Sequence, residues 1–412
     1  MDNLYKIARG SRTLEAAWRK VRENGLSSKS EDTKNQIARF AEDQSANIRR
    51  IVDQLREKKF KFSPQTGIAK KRKGKKPRPL VLAPVENRIV QRAILDVLSK
   101  KVQPLKEVLE TPTSIGGVPG RGTRHAIELV TGAIKKGARY YIRSDIEGFF
   151  TKIPRQVVVN LIARHVPDKD FIDLLSRAIE TTLKNSEELQ EHRDLFPIGD
   201  RGVAQGSPLS PMLGNILLHE FDRDLNGRGI ICIRYIDDFI LLGSKEANVK
   251  KAFEAAREML AKFDMHAYAP WENSKKAQGG PTTSEIDFLG CTINGGLVSP
   301  SRDARNNLLF QLDSAIENGK RAMREAVSAP NVVLTTRRYS QILAHVDRIL
   351  IGWSHAFSFC NGRQAFSATD ADVDARLAKL RDFTEHLVKK HPNQWRRIMG
   401  VHRLIDTPQR KP

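Results

Sequence analysis

The sequence predicts an α+β chain in which long helical ends flank a short antiparallel β centre. Three observations carry this. Residues 1–60 and 301–390 show the spacing of apolar side chains expected of helices, with few strand signals. Between them the run Ile230-Ile-Cys-Ile-Arg-Tyr-Ile-Asp-Asp-Phe-Ile-Leu-Leu-Gly243 has two β-prone halves meeting at Asp237 and Asp238, which reads as strand, tight turn, strand. A second short β-prone run, 139–146, carries Asp145 at its end.

In chain order, Leu14, Ala17 and Val21 fall on one helical face, and Thr33 to Leu55 keeps helical spacing with a polar opposite face. The stretch Ala69-Lys-Lys-Arg-Lys-Gly-Lys-Lys-Pro-Arg-Pro79 holds seven positive charges in eleven residues and reads as a basic loop running into the apolar segment Leu80-Val-Leu-Ala83. Such a run is often only a solvated tail. Its place between a helical region and a buried-looking strand points instead to a loop that grips phosphates. Pro84 to Val102 reads as a helix, Thr111 to Thr123 as a Gly/Pro/Thr-rich loop, and Arg124 onward as helix again. Pro154 to Thr182 is helical, 183–200 a polar connection, Lys245 to Phe263 an amphipathic helix, 264–284 loop-rich, and Ser284 to Ile293 a strand. No internal repeat interrupts this order.

The chain has 412 residues with 70 Lys plus Arg against 48 Asp plus Glu, a net charge of +22. Self-repulsion on that scale suits a polyanionic partner, nucleic acid first and an anionic membrane surface second. No apolar stretch approaches the ~18 residues of a membrane span, and Met-Asp-Asn-Leu-Tyr-Lys lacks a leader pattern. A soluble, cytoplasmic protein is expected, with no membrane partner. Cys232, Cys291 and Cys360 are isolated and odd in number, which excludes a disulfide framework and any Cys-x-x-Cys metal knuckle.

Two adjacent carboxylates at a hairpin tip repel unless one is protonated or a cation sits between them. Hard ions such as Mg²⁺ take oxygen ligands from one or two carboxylates plus substrate phosphates. Taken alone, Asp237-Asp238 is an acidic turn facing water, and Asp145 a strand-end cap. A third element changes the balance: Gly202-Val-Ala-Gln-Gly-Ser-Pro-Leu-Ser-Pro-Met-Leu-Gly-Asn-Ile-Leu-Leu218. Its Gln-Gly-Ser-Pro reads as a tight turn, with Ser207 as N-cap, Pro208 at the first helical position, and Leu209, Leu213, Ile216 and Leu217 on one face. The plain reading is a well-capped core helix. The functional one is a backbone turn approaching a flat substrate, with Gln205 reaching toward it.

Together these segments resemble the reverse transcriptase family, in the family's order, from about residue 10 to beyond 380, with the group II intron-like bacterial branch the nearest. Arg78-Pro-Leu-Val-Leu-Ala-Pro-Val-Glu-Asn-Arg-Ile-Val-Gln91 resembles the fingers motif, and Ser114-Ile-Gly-Gly-Val-Pro-Gly-Arg-Gly-Thr-Arg-His-Ala-Ile127 the loop and helix after it. Ser144-Asp-Ile-Glu-Gly-Phe-Phe150 is similar to the first catalytic motif, Gln205-Gly-Ser-Pro-Leu-Ser-Pro211 to the substrate-facing one, and Tyr235-Ile-Asp-Asp238 to the catalytic hairpin. Asn273-Ser-Lys-Lys276 and Asp287-Phe-Leu-Gly290 resemble the motifs closing the palm, and Ile349-Leu-Ile-Gly-Trp-Ser-His355 the helical thumb. The resemblance implies a right-hand polymerase fold: fingers with an N-terminal helical extension over 1–135, an antiparallel-sheet palm with an RRM-like core over 136–298, and a helical thumb and tail over 299–412.

The resemblance also implies roles. Asp145, Asp237 and the Ile146 carbonyl would hold two Mg²⁺ ions (Mn²⁺ as a substitute) roughly 3.5–4 Å apart, with Asp238 supporting the metals and the primer end. Arg78 and a basic residue of the preceding loop would clamp the triphosphate of the incoming dNTP. One extra residue in that loop leaves Lys71 and Arg72 both open. Gln205 and Tyr235 join the dNTP site, Lys275 is the candidate general acid for pyrophosphate, and Phe149 resembles the steric gate that excludes a 2′-hydroxyl, with a plain core phenylalanine as its alternative. Arg88, Arg121, Gly206, Ser207, Gly290 and Trp353 would lie along RNA template and DNA primer or product.

Two departures matter. Ile236 stands where the intron enzymes mostly carry alanine, and no His/Cys nuclease cluster follows the thumb, so intron homing is not the expected task. A stand-alone basic enzyme of this kind resembles the bacterial defence-associated groups, which work with a dedicated noncoding RNA. The competing expectations are an RNA-dependent RNA polymerase and a maturase-like RNA-binding splicing helper. Nothing in the sequence speaks to oligomeric state.

Overall fold

The computed structural model describes residues 3–28, 30–72, 75–197, 199–272, 275–328, 338–402 and 404. It divides into two compact units, Met1–Pro281 and Thr282–Pro412.

The first unit opens with α1 (Leu4–Ala8), α2 (Ser11–Leu26), α3 (Glu31–Glu42) and α4 (Gln44–Arg56). Leu14, Ala17, Trp18 and Val21 bury one stripe of α2, as the i, i+3, i+4, i+7 spacing requires, and Trp18 meets Phe40 of α3 at 4.5 Å between ring centroids. Ser30 and Asp43 accept from Thr33 and Ala46 backbone N–H groups and so cap α3 and α4.

The basic stretch is a hairpin rather than a loop. β1 (Thr66–Arg72) pairs antiparallel with β2 (Lys75–Leu82), Lys70 opposite Arg78 and Ala69 opposite Pro79. Its lysines hid the alternation, because their long stems can lie along a strand while the ammonium stays in water. Pro77 and Pro79 are tolerated because a two-stranded ribbon is all edge. The connection at 183–200 braces this hairpin. Gln65 N–H donates to the Thr182 carbonyl, and the Asn185 side chain bonds both the N–H and the carbonyl of Gly67 at 2.8 and 3.0 Å. Leu189 and Phe196 pack with Val81 and Ala204 in a small apolar cluster.

After α5 (Val85–Lys101), α6 (Gln103–Glu110) and α7 (Thr123–Lys135) comes the central strand β3 (Tyr140–Asp145), then α8 (Phe149–Lys152), α9 (Arg155–Ala163) and α10 (Lys169–Ile179). The single helix expected over 154–182 is thus two, parted at Pro167, with Asp168 capping the second through the Phe171 N–H. α11 (Ser210–Leu217) and α12 (His219–Gly227) lead to β4 (Ile231–Tyr235), β5 (Asp238–Gly243) and α13 (Glu246–Ala261). α11 starts at Ser210 with Pro211 in its first turn, two residues later than expected, because Ser207 and Pro208 are spent on the turn itself. β6 (Gln278–Pro281), inside the stretch read as loop, completes an antiparallel sheet of order β4-β5-β3-β6.

The second unit contains the meander β7 (Ile286–Phe288), β8 (Cys291–Asn294), β9 (Leu297–Pro300), so the strand expected over 284–293 is the first two of three. The helices α14 (Arg302–Ser328), α15 (Tyr339–Ala356), α16 (Arg363–Lys390) and α17 (Trp395–Met399) follow, with Leu308, Leu312, Ile316, Met323, Ile342, Val346, Val373, Leu380 and Ile398 in their core. The three cysteines are buried and unbridged. Among the described residues no helix is long and apolar enough to cross a membrane.

Candidate active site

The carboxylates are brought together by strand register. β3 and β5 pair so that Asp145 stands opposite Asp238, and β4 returns to set Tyr235 opposite the same Asp238. The Ile146 N–H donates to the Asp237 carbonyl at 3.0 Å, tying the two acidic segments at their ends. The aspartates lie half-buried at the ends of strands whose inner positions, Cys232 and Ile233 of β4 and Phe239 to Leu242 of β5, are buried and apolar. The hairpin turn is two residues long, and Ile236 takes φ +61 within it. Such turns ask for a positive φ and usually receive Gly or Asn.

Burial first, then the charge of Asp145, raises Asp237 to about 6 from 3.8. Burial, then Asp237 and Asp145, raises Asp238 to about 7. Three cations oppose this: Arg78 acts on Asp237, Arg143 on Asp238, and Lys276 on both. Among the described residues no three acidic, His or Cys side chains close into a cage for an ion. The aspartates form an open edge of hard oxygens instead, and that donor set suits a small divalent cation whose remaining ligands are water and phosphate.

Lys276, rather than the expected Lys275, pairs with the carboxylate of Asp145. Its Nζ lies 3.0 Å from Asp145 Oδ2 and 4.6 Å from the centroid of the Tyr268 ring. Lys275 is exposed, and its carbonyl accepts from Arg143 Nη2 at 3.4 Å. Arg143 also reaches the Lys276 carbonyl and Gln278 Oε1, so the segment carrying both lysines is laid along β3. Asn273 and Ser274 of that motif lie outside the described residues.

The turn at Gln205 and the β1–β2 hairpin meet. Arg78 Nε donates to Gln205 Oε1 at 3.1 Å, and the Val81 N–H donates to the Gln205 carbonyl at 2.8 Å. Gly206 has φ +125, and a Cβ there would fall 2.7 Å from the Val81 carbonyl oxygen, so only glycine permits this approach. Lys71 is exposed on β1, and the Arg72 side chain lies outside what is described. Tyr235 is half-buried. Phe149 is 2% exposed, its ring against Gly214 of α11 and 5.4 Å from the half-buried Phe150.

The six residues expected along nucleic acid fall into three groups. Arg121 donates to the carbonyls of Thr111, Ser114 and Glu110, and Arg88 reaches Gln36 of α3, so both guanidinia hold backbone or a neighbouring helix. Gly206 and Ser207 belong to the turn above, with Ser207 Oγ accepting from the Leu209 N–H. Gly290 and Trp353 lie in the second unit, where Trp353 packs against Phe357 and Phe366. Sequence reasoning missed Arg143 and Lys276. Arg143 carried a signal, being a charged residue within a β-prone run that ends on Asp145.

Residues 68–293, more than half the chain, match the family described as reverse transcriptase (RNA-dependent DNA polymerase). The chain belongs to the reverse transcriptase family. The fold is accordingly the polymerase fold of that family, mixed helix and antiparallel sheet. Among relatives, protein YkfC of Escherichia coli is 32% identical over 159 residues, covering 37% of this chain and 38% of that one. The group II intron-encoded protein LtrA of Lactococcus lactis is 29% identical over 178 residues, 43% of this chain and 28% of its own. The retron Mx65 reverse transcriptase of Myxococcus xanthus is 28% identical over 179 residues, 42% and 38% respectively. This reverse transcriptase chain thus spans well under half the length of these relatives. A solved apo telomerase from Candida tropicalis is a looser likeness, 15% identical with a TM-score of 0.41 over 82% of this chain and 63% of that one.

Proposed function

We propose that the protein is an RNA-directed DNA polymerase that extends a primer with dNTPs on an RNA template, using two Mg²⁺ ions. The observation that carries this reading is the register placing Asp145 opposite Asp238 beside Asp237, with Arg78 joined to Gln205 next to them. Family membership over 68–293 supports it. The bodies we assign are fingers 1–135, palm 136–298 and thumb 299–412; a family match that extends to 293 supports carrying the palm past Pro281.

In this reading Asp145, Asp237 and the Ile146 carbonyl would hold the ions, whose positive charge would supply a lowered pKa for the primer 3′-hydroxyl and stabilisation for departing pyrophosphate. Asp238 steadies that arrangement and the primer end. Arg78, with Lys71 or Arg72, holds the triphosphate in line for attack, and Gln205 fixes the Arg78 fork. Lys276, already on Asp145, is better placed than Lys275 to hand a proton to pyrophosphate. Phe149, packed on Gly214, sets the floor under the sugar and excludes the 2′-hydroxyl.

The test is primer extension on an RNA template with Mg²⁺ and either dNTPs or rNTPs. Incorporation of dNTPs alone, abolished by Asp237→Ala, is expected. Use of rNTPs alone would make it an RNA polymerase, and an RNA-binding role untouched by Asp237→Ala and Asp238→Ala would make it a splicing helper. For biological role we propose copying of a dedicated noncoding RNA in bacterial antiphage defence. The net charge of +22 supports a nucleic-acid partner. Sequencing of co-purifying RNA and DNA should then return one small RNA with its complementary DNA; a random RNA population rejects it.

A further inference from the structure

Arg234 is fully buried in β4, one position before Tyr235. All five N–H groups of its guanidinium have acceptors. Nε and Nη2 take Asp222 Oδ1 and Oδ2 at 2.8 and 2.6 Å. Nη2 also donates to Ser114 Oγ at 2.9 Å, and Nη1 to Asn215 Oδ1 at 3.0 Å and the Ile236 carbonyl at 3.0 Å. Its backbone is tied as well, N–H to the Thr113 carbonyl and carbonyl from the Ile115 N–H. One side chain therefore joins the 113–116 loop, α11, α12 and the hairpin turn.

The bond to Ile236 is the informative one. A β-branched residue at φ +61 is a true backbone outlier, held only where its surroundings over-determine it. Those surroundings are close. A Cβ on Gly116 would lie 2.5 Å from Ile236 Cγ1, and one on Gly117 would lie 2.4 Å from Pro211 Cβ. Asn215 Nδ2 donates to the Gly116 carbonyl at 3.0 Å, so the same network that grips the turn also holds the loop covering it. A fully buried guanidinium must have every donor paired, and its ion pair is a poor stabiliser in itself. The geometric task is read from where three of those donors land, on the 113–116 loop, α11 and the carbonyl of the turn residue Ile236. Rotation of the peptide after Ile236 would swing Asp237 away from Asp145 and pull on the end of β5, where register holds Asp238.

We propose that Arg234 is a positioning residue for the aspartate pair: braced by Asp222, Asn215 and Ser114, it holds the Ile236 carbonyl and fixes the strained turn that presents Asp237 and Asp238 to Asp145. Its kinetic consequence rests on the polymerase reading; its effect on cation binding does not.

The test uses the full chain with two variants. Arg234→Met combined with Asp222→Leu replaces the pair by apolar groups, and Arg234→Lys keeps a charge beside Asp222 but lacks the five-donor fork. Mn²⁺ affinity by EPR titration, and the Mg²⁺ concentration for half-maximal incorporation, should worsen by about tenfold to a hundredfold, as for other groups that orient metal ligands. The KM for dNTP should stay within about threefold, since the triphosphate contacts are untouched. Adding Ile236→Asn, which accepts the left-handed conformation, should recover much of the Mn²⁺ affinity. A folded variant with wild-type Mn²⁺ affinity, or a loss that Ile236→Asn leaves unchanged, overturns the proposal. If the apolar pair does not melt cooperatively, Arg234→Lys decides by the same readouts. A wild-type protein that binds Mn²⁺ yet incorporates no nucleotide defeats the polymerase reading alone, and the Mn²⁺ comparison still judges Arg234.

Discussion

Arg78 and Gln205 are 127 positions apart in the chain and 3.1 Å apart in the fold, Nε to Oε1. The bond orients an exposed guanidinium at the point where its charge already reaches Asp237. Without it, Arg78 is one more mobile cation on a basic hairpin. Hydrogen bonds to charged groups contribute about 1.5–3 kcal/mol, so Gln205→Ala should raise the dNTP KM by roughly tenfold or more. Arg78→Ala should cost more, because it also removes the charge. In a double-mutant cycle the two losses should fall short of additive. Fully additive effects on KM would show that the two side chains act independently.

The pKa values of the aspartates set a pH dependence of stability. Asp237 and Asp238 are raised to about 6 and about 7 from 3.8, chiefly by burial. The folded protein therefore keeps protons that the unfolded chain has released. Stability from these groups is complete below about pH 4 and is lost as pH climbs to 6–7, after which it levels. Sealed groups with such shifts would cost about 3–4 kcal/mol each. Both side chains keep partial contact with water, which screens them, so on the order of 2 kcal/mol is expected. Asp238→Asn in EDTA should thus melt several degrees above wild type at pH 8 and level with it at pH 4. Mg²⁺ should raise the wild-type melting temperature at pH 8 and do little for the variant. A variant less stable than wild type at pH 8 would contradict the sign.

Much of this site was legible in the chain because carboxylates in β-prone runs have nowhere apolar to hide. Asp145, Asp237 and Asp238 stood out for that reason, and register did the rest. The basic hairpin did not, since lysines on both faces of β1 erased the period of two. The brace at 183–200 was equally opaque, because Leu183, Leu189 and Phe196 follow no helical or strand spacing and gain meaning only against Val81. Ser207 showed the limit of cap signals: its hydroxyl accepts from Leu209 inside a turn, and the helix begins at Ser210.

Lys275 and Lys276 show the same limit in a form that can be measured. Two neighbouring lysines are indistinguishable in composition, and which one enters the site depends on how Arg143 lays their backbone along β3. Both side chains are exposed, but Lys276 meets Asp145 at 3.0 Å and rests over Tyr268. General acid catalysis contributes on the order of 10²–10⁴-fold. Lys276→Met should therefore lower kcat by about a hundredfold, and Lys275→Met by no more than about threefold. Single-turnover incorporation would check this, and the reverse order would restore Lys275 to the role.

The sugar gate can be tested from the side that does not touch substrate. Phe149 is 2% exposed, its ring lying on Gly214, where an added Cβ would come within 2.7 Å of Cε1. Gly214→Ala must push the ring, because the aromatic edge is rigid and its neighbour Phe150 stands 5.4 Å away. If the Phe149 ring is the floor under the sugar, that push narrows the site, lowers dNTP incorporation and keeps rNTPs out. Phe149→Val does the opposite and should admit rNTPs by about a hundredfold over wild type, the scale at which a missing contact in an apolar pocket is felt. Phe150→Val serves as the control, since its ring is the more exposed of the two. Loss of sugar discrimination in Phe150→Val with none in Phe149→Val would move the gate by one residue.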